Sequence, residues 1–188
     1  TDFTSQVQQV MDSNCGSVVL ISYAADGAAI VEELSTQGFS GQIFGGDGVA
    51  EEGLCASMAN VDTCAGIVAT KPASATPNER SMAFAAVCGE IPDCAGGIYT
   101  AEAFDAMIIM GYAVFAGASS PEGTPLSMLI AAVGQGFVGA SGVHTFGANG
   151  DVGGNGYCVG DFTVTDGTAS FDCNRHADVA ADGTTTIS

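Results

Sequence analysis

Apolar positions along this chain follow two periods, and the clearest change from one to the other lies near the start. Val18, Val19, Leu20 and Ile21 form a short unbroken apolar run rich in β-branched residues, the pattern of a parallel strand buried on both faces. Beyond Asp26 and Gly27 the period becomes helical. Ala29, Ile30 and Leu34 fall on one side, Glu32 and Glu33 on the other, and Gly38 stands just past the end. Gln42, Ile43 and Phe44 supply the next strand. The segment from Ser17 to Ala50 is therefore expected to fold as strand, helix, strand, which sets the carboxyl ends of the two strands side by side. Tyr23 and Asp47, each just beyond a strand, are expected at that shared edge, where open α/β sheets bind ligands. Gly45, Gly46 and Gly48 are expected to leave the backbone there open to close approach.

The remaining elements follow from the same two periods. Phe3, Val7, Val10 and Met11 predict a helix feeding the first strand, with Asp2 or Thr4 as its cap. A third strand is expected at Gly66 to Thr70, and after Lys71-Pro72 the run ASATPNER reads as a linker. Helices are predicted over Arg80 to Val87, Ala101 to Ala116 and Pro121 to Gly134. The long middle one is apolar around most of its circumference and so calls for burial on several sides. The glycine-rich stretch 135–154 reads as short strands and tight turns. A hairpin turning at Asp166-Gly167 is expected to set Phe162 opposite Phe171, and Arg175 to Ser188 reads as a polar tail.

Charge narrows the classes of partner. The formal net charge is −18, with Lys71, Arg80 and Arg175 as the three permanent cations. Nucleic acid, which is bound through Lys and Arg contacts to phosphate, is excluded, and an anionic membrane surface is disfavoured. The uncharged run from Ala106 to Pro121 is short for a bilayer span, and no signal peptide opens the chain, so an export signal would lie upstream of residue 1.

There are seven cysteines. Cys55 with Cys64, and Cys88 with Cys94, have the spacing of local disulfides and not of a zinc site or a redox Cys-x-x-Cys, which implies an oxidising compartment. Cys158 and Cys173 flank the hairpin. Its register sets Cys173 opposite Gly160, so a bridge between them requires a bulge or a longer turn. Cys15 is left over.

Most catalytic patterns are missing. Gly45-Gly46-Asp47-Gly48 lacks both dinucleotide-loop spacing and a Walker lysine, and there is no G-x-S-x-G elbow. His144 and His176 read as surface or turn residues. Asn149-Gly150-Asp151 offers oxygen ligands without the full calcium-loop spacing. No metal or other cofactor is expected. Tyr23 and Asp47 are what remains.

In this context the run SYAADGAAIVEELSTQGFSGQIFGGDGVA resembles the second half of the type I periplasmic solute-binding proteins, the Leu/Ile/Val-binding group of ABC transporters. GIVATKP, YTAEAFDAMIIMGYAV and FVGASGVHTFGANGDVGGNGYCVGDF follow in that family's order, so that the likeness extends over about residues 2–172. The resemblance implies an α/β fold of two doubly wound lobes joined by a hinge, a Venus flytrap, here lacking its N-terminal half. It assigns residues 1–70 to the second lobe, 71–136 to the hinge and first-lobe helices, 137–174 to a return into the second lobe with the closing hairpin, and 175–188 to the tail.

It further implies that Tyr23 and Asp47 hold an amino-acid-like ligand between the lobes, with Asp47 receiving its ammonium, and that Tyr99 lines the cleft. Branched-chain amino acid binders of the family more often carry glutamate at the position of Asp47. The expected protein is periplasmic or extracellular and not an enzyme. Its expected partners are ABC transporter membrane subunits and the absent N-terminal half, or a second chain, completing the first lobe, and Cys15 is expected to be free or tied to the missing segment. An extracellular structural, assembly or receptor module reusing the fold is the alternative, and an enzyme on a doubly wound sheet is a third.

Overall fold

In the computed structural model, residues 2–73, 76–92, 94, 99–153, 156–179 and 184–188 are described. They divide into two units, Thr1–Pro72 with Tyr157–Ser188, and Ala73–Gly156. The first unit begins with α1 (Thr4–Asp12), β1 (Ser17–Leu20), α2 (Ala24–Thr36), β2 (Gln42–Gly45), α3 (Glu52–Ala56) and β3 (Val68–Pro72). The Asp2 carboxylate accepts the Thr4 amide at 2.9 Å, at the start of α1. β1, β2 and β3 run parallel, with Val19 opposite Phe44 and Phe44 opposite Val68.

Leu20 of β1 joins Val7 of α1, Val31 and Leu34 of α2, Val49, Leu54 and Phe162 in one buried cluster. The β1 run is not buried on both faces as expected. Val19 is 71% exposed and Phe44 41%, because the helices of this unit cover only the face that carries Leu20 and Ile43.

The second unit holds α4 (Glu79–Cys88), α5 (Thr100–Gly117), α6 (Leu126–Val133), β4 (Phe137–Val138), β5 (Val143–Phe146) and β6 (Val152–Gly153). The expected linker is shorter than its eight residues. Asn78 caps α4 by accepting the Arg80 and Ser81 amides, while the Ser81 hydroxyl accepts the Asn78 amide, a capping box that draws Glu79 and Arg80 into the helix. Ser74 and Ala75 of that run lie outside the described residues. The helix predicted from Pro121 starts only at Leu126, behind a turn in which Thr124 bonds Pro121 and Gly123 takes φ +82°.

α5 buries a single stripe, Asp105, Ile109 and Ala113, where burial on several sides was expected. Among the described residues it is also the one helix long and apolar enough, by length and composition alone, to cross a bilayer. β5 pairs antiparallel with both β4 and β6, and the chain rejoins the first unit at Tyr157.

On its return the chain forms β7 (Tyr157–Thr165), β8 (Thr168–Val179) and β9 (Thr185–Ile187), completing a sheet of order β1-β2-β3-β7-β8-β9 in which β7 is antiparallel to β3. Asp166 and Gly167 make the turn with φ 52° and 74°, and the Phe162 and Phe171 rings meet at 5.0 Å. Cys173 stands opposite Gly160 and Cys158 opposite His176, with a register shift between Val159 and Gly160. A bulge is thus present in the hairpin, and Cys158–Cys173 is bonded, as are Cys55–Cys64 and Cys88–Cys94. Cys15 is an exposed free thiol. The expected polar tail is largely strand: Arg175 pairs with Val159, Ala177 with Tyr157 and Ile187, and Ala177 is buried. Residues 180–183 lie outside the described set.

Candidate functional site

Parallel pairing of β1 with β2 sets their carboxyl ends together, and the Gly46 amide donates to the Leu20 carbonyl at 3.2 Å. Past β1 the backbone stays extended through Tyr23 (φ −105°, ψ 165°), where α2 begins and the Gly27 amide bonds the Tyr23 carbonyl. Past β2 the chain makes a short 3₁₀ turn over Asp47–Val49, anchored by the fully buried Val49. The two segments touch. A β-carbon added to Gly48 would lie 2.5 Å from the Ser22 carbonyl oxygen and 3.2 Å from the Tyr23 ring. Tyr23, 81% exposed, and the exposed Asp47 therefore share one edge of the sheet.

The glycines at this edge are not uniformly open as expected. A β-carbon at Gly45 would come within 2.3 Å of Val49, whereas nothing lies within 4 Å of one at Gly46. Gly45 and Gly48 thus serve internal packing, and only Gly46 leaves its backbone open.

Of the permanent cations in the first unit, Lys71 lies over the Phe171 ring at 4.9 Å, and Arg175 pairs with Asp161 at 2.8 Å. Tyr99, the third predicted site residue, belongs to the second unit, where it immediately precedes α5 and is 44% exposed.

The second unit contains a polar cluster that the sequence reading missed. Asp105, 1% exposed, accepts the Ala140 amide on Oδ1 and, on Oδ2, the Ser141 amide and hydroxyl, each at 2.7 Å. His144 Nε2 stands 3.0 Å from the same Oδ2 and 3.1 Å from Ser141 Oγ. Burial pushes the Asp105 carboxyl up, but the bonds from His144, Ser141 and Ala140 together outweigh it and hold the group below its ordinary value.

These residue types are those of a hydrolytic triad, yet the geometry is not. In a triad the acid holds one ring nitrogen while the serine uses the other. Here acid and serine address the same nitrogen, and the serine proton is already given to the acid. His144 is thus a partner of a buried carboxylate and not the surface or turn residue expected. The signal available in the sequence was an acid, Asp105, within the apolar part of a helix, which must find donors when buried. Among the described residues no group of three or more His, Cys, Asp or Glu side chains could hold a metal ion.

The sequence matches no protein-family model, and no curated protein is similar to it at the sequence level. Its fold, however, recurs in solved structures. The leucine binding protein LivK from Thermotoga maritima matches over 91% of this chain and 47% of its own, with TM-score 0.69 and 23% identity. A periplasmic binding protein type 1 from Bordetella pertussis matches over 92% and 50%, with TM-score 0.68 and 15% identity. An ABC transporter solute-binding protein from Rhodopseudomonas palustris, solved with 4-hydroxybenzoate, matches over 92% and 48%, with TM-score 0.66 and 15% identity. The chain therefore has the α/β fold of type I periplasmic binding proteins and spans about half the length of these structures.

Proposed function

We infer that this chain is part of an extracytoplasmic solute-binding protein that captures an amino acid, or a related small amine or amide, for an ABC transporter. The observation that carries this reading is an acidic group, Asp47, beside an exposed tyrosine at the carboxyl edge of adjacent parallel strands. The similar solved structures include a leucine binding protein and one holding 4-hydroxybenzoate. The charge at this edge favours the first kind of ligand. A carboxylate at the edge attracts an ammonium and repels an aromatic acid that has none, and Tyr23 offers both a hydroxyl and a ring face to a cation. Three disulfides support a location in the periplasm or outside the cell. In this reading Tyr99 contributes from the second unit, and the partners are the transporter's membrane subunits and the polypeptide that supplies the remainder of the fold.

Removing Asp47 would leave the ligand's ammonium unpaired, a loss of roughly 2–5 kcal/mol by comparison with other buried charge pairs. Calorimetric titration of the intact polypeptide with branched-chain amino acids should therefore show binding that Asp47→Ala weakens by about thirtyfold or more. Asp166→Ala, in the hairpin turn, should leave it unchanged. Equal affinities in the two variants, or binding of 4-hydroxybenzoate alone, would overturn the assignment.

An extracellular structural or receptor module is the second reading, favoured by the breadth of exposed apolar surface on α5, where Met107 is 71% and Phe115 80% exposed. It predicts stable chain-to-chain contacts and no small-molecule titration.

A further inference from the structure

Gly139 to Gly142 is a tight turn joining β4 to β5, closed by the Gly139 amide on the Gly142 carbonyl at 2.6 Å. The Asp105 carboxylate lies directly against it. A β-carbon at Gly139 would fall 2.2 Å from Oδ2, so glycine is the residue that admits the carboxylate there. Both oxygens accept: Oδ1 takes the Ala140 amide, and Oδ2 takes the Ser141 amide and hydroxyl and faces the His144 imidazole nitrogen. Asn78, the cap of α4, donates to the Gly139 carbonyl at 3.1 Å, so the turn is held from α4, α5 and β5 together.

Other charged groups lie on the elements packed here. Glu102 is one turn earlier on α5, with one oxygen buried and without a hydrogen-bond partner. Glu79 and Arg80 are on α4, and the Arg80 guanidinium lies over the Phe137 ring at 4.9 Å, with that ring 6.2 Å from His144.

We propose that Asp105 and His144 form an acid-released clasp that closes the Gly139–Gly142 turn onto α5. The asymmetry follows from where protons can go. His144 reaches Oδ2 through Nε2, which faces two oxygens and so carries the hydrogen. A proton placed on Asp105 meets donors at both oxygens. Only the Ser141 hydroxyl can reverse to accept it, and in doing so it gives up its own bond to the carboxylate.

The Asp105 carboxyl is held below its ordinary value by these donors. Its contribution is therefore complete above the unfolded-state value of about 4 and is lost as pH falls through the lower folded-state value. The bonds lost are those that fasten the turn, and the helix beneath it keeps its own backbone ladder.

Amide hydrogen exchange by NMR on the intact polypeptide, corrected for intrinsic rates, tests this at single residues. Protection of Ala140 and Ser141, whose amides are bound by Asp105, should fall by about tenfold or more at a higher pH than that of Ile109 within α5. Asp105→Asn should have low Ala140 and Ser141 protection already at neutral pH. His144→Phe, which removes the donor to Oδ2, should move the release to higher pH. Loss of protection at all three positions together would overturn the proposal, as would parental protection in Asp105→Asn or an unmoved release point in His144→Phe.

Discussion

Gly45 and Gly46 are neighbours in the sequence and opposites in their surroundings. Val49, fully buried, fills the space a side chain at 45 would need, so alanine there must displace the residue that anchors the Asp47 turn. Gly46 faces open space with φ −81° and ψ −174°, a conformation any residue adopts. Gly45→Ala is expected to cost about 1–3 kcal/mol by overpacking, whereas Gly46→Ala should stay within about 0.5 kcal/mol. Urea denaturation of both variants measures the difference, and equal midpoints would mean that Val49 does not constrain the turn. The shared edge of Tyr23 and Asp47 was legible from sequence because parallel pairing and the strand–helix–strand order dictate it locally. The division of labour among the glycines was not, since it depends on a side chain four residues away folding back. Asp105 and His144 are 39 positions apart in the chain, and no local period joins them.

At the scale of elements, the second hairpin strand shows what periodicity can and cannot deliver. Asp166-Gly167 and the facing phenylalanines announce the turn and its register near the tip. Carried back without interruption, that register denies Cys158 and Cys173 to each other. The ladder is interrupted at Val159/Gly160 by an extra residue on β8, Cys158 and Cys173 are bonded across that irregularity, and the strand continues as far as Val179. The polar residues past Arg175 read as a tail because a strand with one wet face has little apolar signal, and here the backbone ladder and the Arg175–Asp161 pair carry the pairing. Peptide mapping without reduction should recover Cys55–Cys64, Cys88–Cys94 and Cys158–Cys173 as three linked pairs, with Cys15 alone open to alkylation. Recovery of a Cys15 peptide linked to any of the six would reassign the framework.

For the whole molecule, the exposed apolar surface is the strongest constraint. In the second unit Met82, Val87, Met107, Met110, Tyr112, Val114, Phe115 and Met128 are all more than two-fifths exposed, and in the first unit Val19, Ile21 and Phe44 leave one sheet face bare. The sequence announced the apolar circumference of α5 but not which side would be covered, because that is decided by partners outside the helix. At about 25 cal/mol per Å², leaving a few hundred Å² of such surface in water forgoes several kcal/mol, comparable with the stability of a whole domain. The solved structures of this fold are about twice as long as this chain. The 188 residues expressed alone should therefore associate or bind a hydrophobic dye at micromolar concentration, and adding the complementary polypeptide should suppress both. Light scattering coupled to gel filtration is the measurement. A monodisperse monomer that unfolds cooperatively and binds no dye would show that these faces are stable in water, and would remove the case for a covering partner.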